Sequence, residues 1–335
     1  MKITITIFPY RLYYHFPFKI AHTSRDSTSA VYILLEYNKH HAWGEATFPP
    51  YVSENIDSFK NIISQITLPS DIVHLDIAQY IKNLDDQFPN HPATMAAVDI
   101  ALHQLQAYIT GISIQQKYGI INVTKETSVT IGISTTEEMV KKITSAANAA
   151  YFKLKVDQTQ IDRIIQSYQH LTSKPFVVDA NQGFTSPDEA LFWCRELKKL
   201  GCAYMEQPFV KDDLEAHQWL KYHSPIPIIA DESFQRMEDL PVIVNCFHGI
   251  NVKLMKSGGI AEGYQSLLKA KDLGLLTLIG CMSESSVAVS AAWHLAPLAD
   301  WVDLDGPLLI KNDLFNPQLN YTDNQIIELL QNQKA

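Results

Sequence analysis

Five charged residues in the second half of the chain each stand at the end of a short apolar run. They follow one another at intervals of roughly 22 to 27 residues, about the length of one strand–helix unit of a parallel α/β barrel, whose strand ends meet at one rim. Three carboxylates between two amines in one pocket would suit a divalent cation with a base on either side. In chain order the five residues are Lys155, Asp179, Glu206, Asp231 and Lys253.

The three acids are candidate metal ligands. Asp179, Glu206 and Asp231 end consecutive predicted strands, at the rim where barrel active sites lie. A single acid in such a position is equally well explained as a helix N-cap, but three in succession weaken that explanation. Oxygen ligands without histidine or cysteine favour Mg²⁺ and disfavour zinc. We therefore predict one Mg²⁺ per chain.

Two lysines stand together on the first of these strands. In Phe152-Lys-Leu-Lys-Val, the period of two sends the side chains of Lys153 and Lys155 to the same side. Lysines are rarely buried, so a pair in an apolar strand is unusual, although a solvated strand end would also explain it. In the functional interpretation one lysine removes a proton, while the other lowers its pKa by like-charge repulsion, helped by the nearby cation.

Lys253 is the candidate partner across the pocket, because it ends its apolar run. Lys256 is expected in the following loop with Gly258 and Gly259, either at the surface or as a source of positive potential.

The last two barrel units end in further polar residues. Asp303 and Asp305 share a strand face by the same period of two, and two acids facing a pocket would suit a substrate ammonium group. Asp305 stands beside Gly306-Pro307 and could instead cap a turn. Ser283 and Glu284 end the preceding unit. A serine nucleophile there would need a histidine base, and no G-x-S-x-G motif occurs.

The first part of the chain predicts an α+β domain. Alternating polar and apolar residues predict strands, and apolar residues at helical spacing predict helices. The predicted strands cover 2–15, 30–37 and 42–47, and the predicted helices cover 53–66, 73–87 and 93–110.

From Ser128 to about residue 305, a short apolar strand, a loop and an amphipathic helix alternate. Seven helices between eight strands predict a modified (β/α)8 barrel more readily than an open sheet, because no G-x-G-x-x-G or phosphate-loop motif occurs. We predict a capping domain at 1–125, completed by 311–335, and a barrel at 126–310. The tail after Lys311 is expected to supply no strand and to pack on the capping domain. The predicted barrel helices are 136–149, 158–171, 187–200, 211–223, 236–246, 260–273 and 285–298.

Composition is that of an ordinary globular protein, with 335 residues, 46% hydrophobic and 19% charged. A net charge of −9 without basic runs argues against nucleic acid or an anionic membrane as a partner. No apolar run reaches the roughly 20 residues of a membrane span. The N-terminus alternates like a strand and not like a signal peptide, so a cytoplasmic location is expected. The four cysteines are expected to be buried and reduced: Cys194, Cys202, Cys246 and Cys281.

These motifs resemble the enolase superfamily, in particular its muconate lactonizing enzyme subgroup and, within it, the dipeptide epimerases of the L-Ala-D/L-Glu type. The resemblance spans essentially the whole chain, and the matching segments follow the order of the subgroup. They are Trp43-Gly-Glu-Ala, Asp99-Ile-Ala-Leu-His, Gly111-Ile-Ser-Ile, Lys153-Leu-Lys155, Asp179-Ala-Asn181, Glu206-Gln-Pro208, Asp231-Glu-Ser233 and Lys253 with Ser257-Gly-Gly.

The resemblance implies a capping domain over a modified barrel, with Mg²⁺ on the three acids. It implies that Lys155 and Lys253 are the acid and base on opposite faces of the substrate. It also implies that Asp303 and Asp305 hold the α-ammonium of a dipeptide, whose C-terminal α-carbon is inverted through an enediolate.

Side-chain preference in the family is set by capping-domain loops, here around Ile20–Arg25 and Phe48–Ser53, and by barrel positions near Met255, Ser283 and Glu284. Arg25, in the same loop as His22, would favour an acidic C-terminal residue. The aromatic second loop would favour apolar dipeptides instead.

Other enzymes of the subgroup stay open as alternatives: an o-succinylbenzoate synthase, an N-succinylamino acid racemase or a cycloisomerase. Their substrates lack a free ammonium, so the pair Asp303 and Asp305 would have no obvious partner. A dehydratase is disfavoured because the sixth unit supplies Lys253 and not a His–Asp pair. An alternative from a different functional class is a non-catalytic metal-binding scaffold. It would require that neither lysine has a catalytic role. A homo-oligomer is compatible with the sequence.

Overall fold

The computed structural model of the chain describes residues 2–19, 24–50, 52–315, 319–322 and 325–329. The described residues between 4 and 117 form an antiparallel sheet with helices packed on it, here called the cap, and residues 128–309 form an eight-stranded parallel sheet surrounded by helices, here called the barrel. This architecture confirms the predicted fold class, while the position of the domain boundary stays a prediction. His22 and Tyr51, assigned to the two cap loops, lie outside the described residues.

The cap sheet is antiparallel, with its three strands in chain order. The turn after the second strand uses Asn38 at φ 56°, a left-handed conformation that asparagine tolerates. The first strand continues beyond the predicted end at residue 15, because pairing with the second strand resumes at Phe18 after a register shift. The strands are β1 (Thr4–Lys19), β2 (Ser24–Tyr37) and β3 (His40–Phe48).

The helices of the cap are α1 (Ile56–Ile63), α2 (Ile77–Gln87), α3 (Pro92–Thr110) and α4 (Ile114–Lys117). The long helix α3 is buried on nearly every side, since the cap sheet covers one side and the barrel covers another. A Cβ at Gly44 of β3 would lie 2.0 Å from the carbonyl oxygen of Ala97, so this glycine lets α3 approach the sheet directly. The apolar core is consequently continuous from cap to barrel.

The barrel strands are parallel and neighbour one another in chain order, as predicted. Hydrogen bonds that involve side chains link the first and last strands. The backbone N–H of Leu304 donates to Thr127 Oγ1 at 2.7 Å, and Ser128 Oγ donates to Asp303 at 2.5 Å. The strands are β4 (Ser128–Ile131), β5 (Tyr151–Lys155), β6 (Phe176–Asp179), β7 (Met205–Glu206), β8 (Ile228–Ala230), β9 (Gly249–Lys253), β10 (Leu276–Gly280) and β11 (Trp301–Asp303).

All seven predicted barrel helices are present, and each is shorter than its predicted range. The helix predicted to end at residue 298 stops at Trp293 and is followed by the 3₁₀ turn Ala296–Leu298, which contains a proline. The helices are α5 (Thr136–Ser145), α6 (Ile161–Leu171), α7 (Pro187–Lys199), α8 (Leu214–His223), α9 (Leu240–Cys246), α10 (Leu254–Ser257), α11 (Ile260–Asp272), α12 (Ser286–Trp293) and α13 (Gly306–Leu309), with a further 3₁₀ turn at Met237–Asp239.

Residues 310–315, which follow the barrel, pack on the cap. The ring of Phe315 lies 5.3 Å from that of Tyr32 and 5.1 Å from that of Trp43, between centroids. The prediction that this tail supplies no strand is wrong, because β12 (Leu319–Thr322) and β13 (Gln325–Leu329) form a hairpin. The two strands pair with each other and leave the barrel sheet unchanged.

Within the described residues, no helix has both the length and the apolar character needed to cross a bilayer. The four cysteines are free and buried, which confirms that prediction.

Candidate active site

Three acidic side chains lie together at the carboxyl ends of β6, β7 and β8. Asp179 ends β6, Glu206 ends β7, and Asp231 follows β8 directly. One carboxylate oxygen from each lies within 4.8 Å of the other two, and all three residues are buried. Strand register fixes part of this arrangement, because Asp179 and Glu206 are partners across the β6–β7 pair.

Lys155 and Lys253 stand on opposite sides of the three acids. Lys155 ends β5, and its Nζ lies 2.5 Å from Asp179 Oδ2. Lys253 ends β9, and its Nζ lies 2.7 Å from Asp231 Oδ2. Since β6, β7 and β8 separate the two strands, the amines approach the pocket from different sides.

Lys153 shares the face of Lys155, as the period of two predicts, but lies deeper. Its Nζ is 2.7 Å from Asp303 Oδ2, 2.8 Å from Glu206 Oε2 and 3.0 Å from Asp179 Oδ2. Burial alone would lower the pKa of Lys153, but the charges of Asp303 and Glu206 outweigh it and hold that pKa well above its ordinary value. Lys153 is therefore a fixed positive charge that joins the acids of β6, β7 and β11.

Lys256 is buried in the helix α10, so its expected place in a loop and the surface alternative are wrong, while its role as a source of positive potential stays a prediction. The short helix α10 starts directly after Lys253 and turns Lys256 back into the barrel. The Nζ of Lys256 lies 2.7 Å from Asp231 Oδ1 and 3.0 Å from the backbone oxygen of Asn251. Asp231 thus receives one lysine on each oxygen. Burial lowers the pKa of Lys256, although the charge of Asp231 acts in the opposite direction.

The three acids differ in their electrostatics. Burial, reinforced by the charge of Asp179, raises the pKa of Glu206 to about 8. Burial also acts to raise the pKa of Asp231, but Lys253 and Lys256 outweigh it and hold that pKa well below its ordinary value. A bound cation would favour the ionised form of all three acids at neutral pH.

Asp303 and Asp305 do not share a strand, although the sequence predicts a common strand face. Asp303 ends β11 and accepts a hydrogen bond from Ser128 Oγ at 2.5 Å. Asp305 lies beyond the strand end, directly before α13, and its Oδ2 accepts the backbone N–H of Thr130 at 2.6 Å. Both acids still face β4 and are buried. Burial and the charge of Asp303 raise the pKa of Asp305 to about 7.

Ser283 and Glu284 are buried in the segment between β10 and α12. Glu284 accepts the backbone N–H of Met282 at 2.7 Å, and burial raises the pKa of Glu284 to about 7. Glu284 follows β10, the neighbour of β9 in the sheet, so it lies on the Lys253 side of the pocket, and the charge of Lys253 acts to lower the same pKa.

Arg25 lies on β2, so its predicted place in a loop is wrong. It is paired with Phe18, where the β1–β2 pairing resumes. The ring centroid of Phe18 lies 6.0 Å from Lys155 Nζ, so this end of the hairpin reaches the barrel mouth. Contact of Arg25 with a substrate stays a prediction.

Two amide side chains that the sequence reading did not single out support the acids. Asn251 Nδ2 donates to Glu206 Oε1 at 2.8 Å, and Gln207 Oε1 accepts the backbone N–H of Asp231 at 2.9 Å. Asn251 precedes Lys253 by two positions on β9, so the strand period was a signal for it. Gln207 offers no such signal, because its position depends on a left-handed backbone with φ 36°.

The donor set fits a magnesium ion. Mg²⁺ prefers carboxylate oxygens and keeps open positions for water or substrate. Asp179, Glu206 and Asp231 offer three such oxygens, with no histidine or cysteine among them. Such a cation between two amines suits the removal and return of a proton next to a carboxylate group.

Comparison with known sequences identifies relatives of this chain. The model of the family described as enolase C-terminal domain-like matches residues 136–327. The chain is 37% identical over 319 residues to the L-Ala-D/L-Glu epimerase of Bacteroides thetaiotaomicron, in an alignment that covers 94% of this chain and 82% of the relative.

Two solved structures share the whole fold. The N-succinyl Arg/Lys racemase from Bacillus cereus superposes with a TM-score of 0.89 at 25% identity, covering 97% of this chain and 92% of that chain. The dipeptide epimerase from Methylococcus capsulatus, complexed with Mg and the dipeptide L-Arg-D-Lys, superposes with a TM-score of 0.87 at 25% identity, covering 98% of both chains.

Proposed function

The chain belongs to the enolase superfamily, and from this premise we propose that it is a dipeptide epimerase that inverts the α-carbon of the C-terminal residue of a dipeptide. The relative at 37% identity is an L-Ala-D/L-Glu epimerase, and the fold matches that of a dipeptide epimerase complexed with a dipeptide. L-Ala-L-Glu is therefore the first substrate to test.

The observation that carries this proposal is the pair of amines on opposite sides of the buried acids. Lys155 and Lys253 contact Asp179 and Asp231, which lie at two different edges of the acid group. A substrate carboxylate held next to the acids would have its α-carbon between the two amines. One base on each face is what inversion at that carbon requires.

The proton transfers follow from this geometry. One lysine, as the free amine, accepts the α-proton, and the C–H electron pair stays on the substrate and spreads into its carboxylate. The other lysine, as the ammonium, donates a proton to the opposite face. In the reverse direction Lys155 and Lys253 exchange roles, so either epimer is a substrate.

Asp179, Glu206 and Asp231 would hold the Mg²⁺, one per chain. When bound, it would supply positive charge that stabilises the negative charge developing on the substrate carboxylate. Lys256 and Asn251 orient two of these acids through the contacts described above, so the ligands are arranged by the chain itself.

Asp303 and Asp305 would bind the ammonium group of the dipeptide. Asp303 is held between Ser128 Oγ and Lys153 Nζ, at 2.5 and 2.7 Å. These two donors fix the direction of the carboxylate before a substrate enters. A buried acid pair of this kind favours a cationic group and disfavours an acylated amine.

A second candidate is the racemisation of an N-succinylated amino acid. The observation that favours it is the close superposition on the N-succinyl Arg/Lys racemase, with a TM-score of 0.89. The same lysines and acids would serve this reaction, but the substrate would bring no ammonium to Asp303 and Asp305.

Deuterium exchange separates the two candidates. The protein is incubated with Mg²⁺ in D₂O with L-Ala-L-Glu, with L-Ala-L-Leu and with N-succinyl-L-lysine, in separate samples. Mass spectrometry measures gain of deuterium at the α-carbon, and chiral chromatography measures inversion. The double variant Lys155→Ala/Lys253→Ala, purified in parallel, controls for contaminating enzymes.

We expect exchange with inversion in a dipeptide and none in N-succinyl-L-lysine. Exchange confined to N-succinyl-L-lysine would establish the second candidate. No exchange in any of the three compounds would contradict both.

A further inference from the structure

A buried carboxylate of the cap contacts the barrel segment that follows Lys253. Asp99 lies in the middle of α3 with 0% exposure. Its Oδ1 accepts the backbone N–H of Ile260, the first residue of α11, at 2.6 Å, and His103 Nδ1 lies 3.2 Å from the same oxygen. Asp99 therefore takes the place of a capping side chain for a barrel helix, although it comes from the cap.

The chain between Asp99 and Lys253 is short and tightly held. Lys253 ends β9, α10 follows at once, and Gly258 and Gly259 lead into α11 with φ of 94° and 126°. A Cβ at Gly259 would lie 2.4 Å from Asp99 Cγ, so the carboxylate packs directly on the glycine backbone. Ser257 Oγ donates to the backbone oxygen of Lys253 at 3.2 Å. A displacement of the start of α11 would therefore be passed to Lys253 through few residues.

The segment after Lys155 is held by barrel residues instead. The backbone N–H of Val156 donates to the oxygen of Asp179 at 2.9 Å, and that of Gln158 donates to the oxygen of Gly183 at 3.1 Å. Both acceptors belong to the β6 unit of the barrel. Loss of the Asp99 carboxylate should consequently leave Lys155 in place.

We propose that Asp99 is a positioning residue for Lys253: its carboxylate fixes the start of α11 and, through α10, the amine on one face of the substrate. This inference rests on the proposed function, in which each lysine serves one epimer. It goes further by giving a cap residue control over one of the two proton transfers.

The test compares the initial rates of α-proton exchange in D₂O from the two epimers of a dipeptide substrate with Mg²⁺ present. Lys253→Ala first identifies the epimer whose exchange depends on Lys253. Asp99→Ala should then slow exchange from that epimer at least about tenfold more than from the other, because a displacement of about 1 Å can cost about 100-fold in rate. Asp99→Asn keeps an oxygen acceptor for Ile260 and should restore most of the lost rate.

Gln106→Ala is the matched control. Gln106 lies on the same helix and is also buried, but its Nε2 donates to the backbone oxygens of Ile72 at 2.8 Å and Leu75 at 3.0 Å, within the cap. Its loss, like that of Asp99, should lower the melting temperature, and any change in exchange rate should be equal for the two epimers.

Equal slowing of both epimers by Asp99→Ala would overturn the inference and leave the proposed function intact. No exchange from either epimer in the unchanged protein would overturn the proposed function itself. If Asp99→Ala does not fold, Asp99→Glu keeps the carboxylate but adds a methylene against Gly259. Asp99→Glu should also slow exchange more from the epimer that depends on Lys253 than from the other. Equal slowing of the two epimers in that variant would contradict the inference.

Discussion

The two sides of the pocket are built from different parts of the chain. On the Lys155 side, the lysine and its acid partner Asp179 lie on adjacent strands in direct register, and the segment that follows is bonded within the barrel. On the Lys253 side, the lysine is followed by a short helix and two glycines that rest on the cap helix α3. Lys155 is thus held by the register of two barrel strands, whereas the segment that follows Lys253 rests on the cap helix α3.

A second buried carboxylate extends this difference. Glu45 of β3 accepts hydrogen bonds from the backbone N–H of Ser285 at 2.9 Å, from Ser285 Oγ at 2.6 Å and from the backbone N–H of Ala288 at 3.0 Å. These donors belong to the start of α12, directly after Ser283 and Glu284. The cap therefore holds the starts of two successive barrel helices, both on the Lys253 side.

Removing each lysine is the most direct test of this difference between the two sides of the pocket. Lys155→Ala and Lys253→Ala should each lower the rate of epimerisation at least about 10³-fold, since each removes a proton donor and acceptor. Each should also abolish exchange from a different epimer, measured in D₂O. Lys199→Ala is the control, because Lys199 is 67% exposed and its Nζ pairs with Glu196 at 2.5 Å, outside the site. Loss of exchange from the same epimer in both variants would contradict the two-sided arrangement.

The packing of the Lys253 side on the cap is tested by Gly259→Ala. The new Cβ would lie 2.4 Å from Asp99 Cγ at a residue with φ 126°, so both overpacking and backbone strain apply. The free energy of unfolding, measured with urea, should fall by about 2–4 kcal/mol.

Gly274→Ala supplies the matched control. It has φ 73°, and among the described residues no atom beyond its chain neighbours lies within 4 Å of the new Cβ, so only the backbone strain applies. Its loss of stability should be about 1–2 kcal/mol. Equal losses in the two variants would show that the contact of Gly259 with Asp99 is loose.

The barrel-built part of the site is tested by Gly280→Ala. A Cβ at Gly280 would lie 2.5 Å from Asn251 Oδ1, so the Asn251 side chain must shift, and we expect its hydrogen bond to Glu206 to weaken. Loss of such a ligand-orienting contact should raise the Mg²⁺ concentration for half-maximal activity by about 10- to 100-fold. Gly263→Ala is the control. Its new Cβ would contact mainly the flexible ends of Leu254 and Leu295, so the Mg²⁺ concentration for half-maximal activity should stay unchanged. An unchanged Mg²⁺ requirement in Gly280→Ala would exclude Asn251 as a support of the metal site.

The second cap contact is tested through pH. Burial raises the pKa of Glu45 to about 8, from an ordinary value of 4.5. The folded protein therefore keeps a proton that the unfolded chain has already released, so the free energy of unfolding falls as the pH rises towards 8. Glu45→Gln should remove this contribution, which amounts to at most about 1.4 kcal/mol between pH 6 and pH 7.

Urea unfolding at a series of pH values measures the slope. Glu36→Gln, an exposed position in the same sheet, should keep the slope of the unchanged protein. A Glu45→Gln slope equal to that of the unchanged protein would show that Glu45 is already ionised in the folded state.

The barrel and its acid group could be predicted because the signals are local. A period of two places Lys153 and Lys155 on one face, and a parallel barrel brings all strand ends to one rim. These patterns are enough to predict that one group contains Asp179, Glu206 and Asp231. Their assignment as metal ligands stays a prediction.

The errors arise where the backbone departs from a strand. Lys256 was placed in a loop, with a surface position as one of two alternatives, because α10 has only four residues and no detectable period. Asp305 was placed on a strand that ends two residues earlier. Asp99 and Glu45 could not be found as support for the barrel, since their partners lie 161 and 240 positions away in sequence.

The burial of α3 between the cap sheet and the barrel has a consequence for synthesis and folding. When the first 125 residues have left the ribosome, the side of α3 that will contact α10 and α11 is still without its partner. That apolar surface stays uncovered until Ile260 and its neighbours are made. Since cap and barrel share one core, we expect them to melt together in a single cooperative transition, and a fragment ending before α10 to aggregate or remain unfolded.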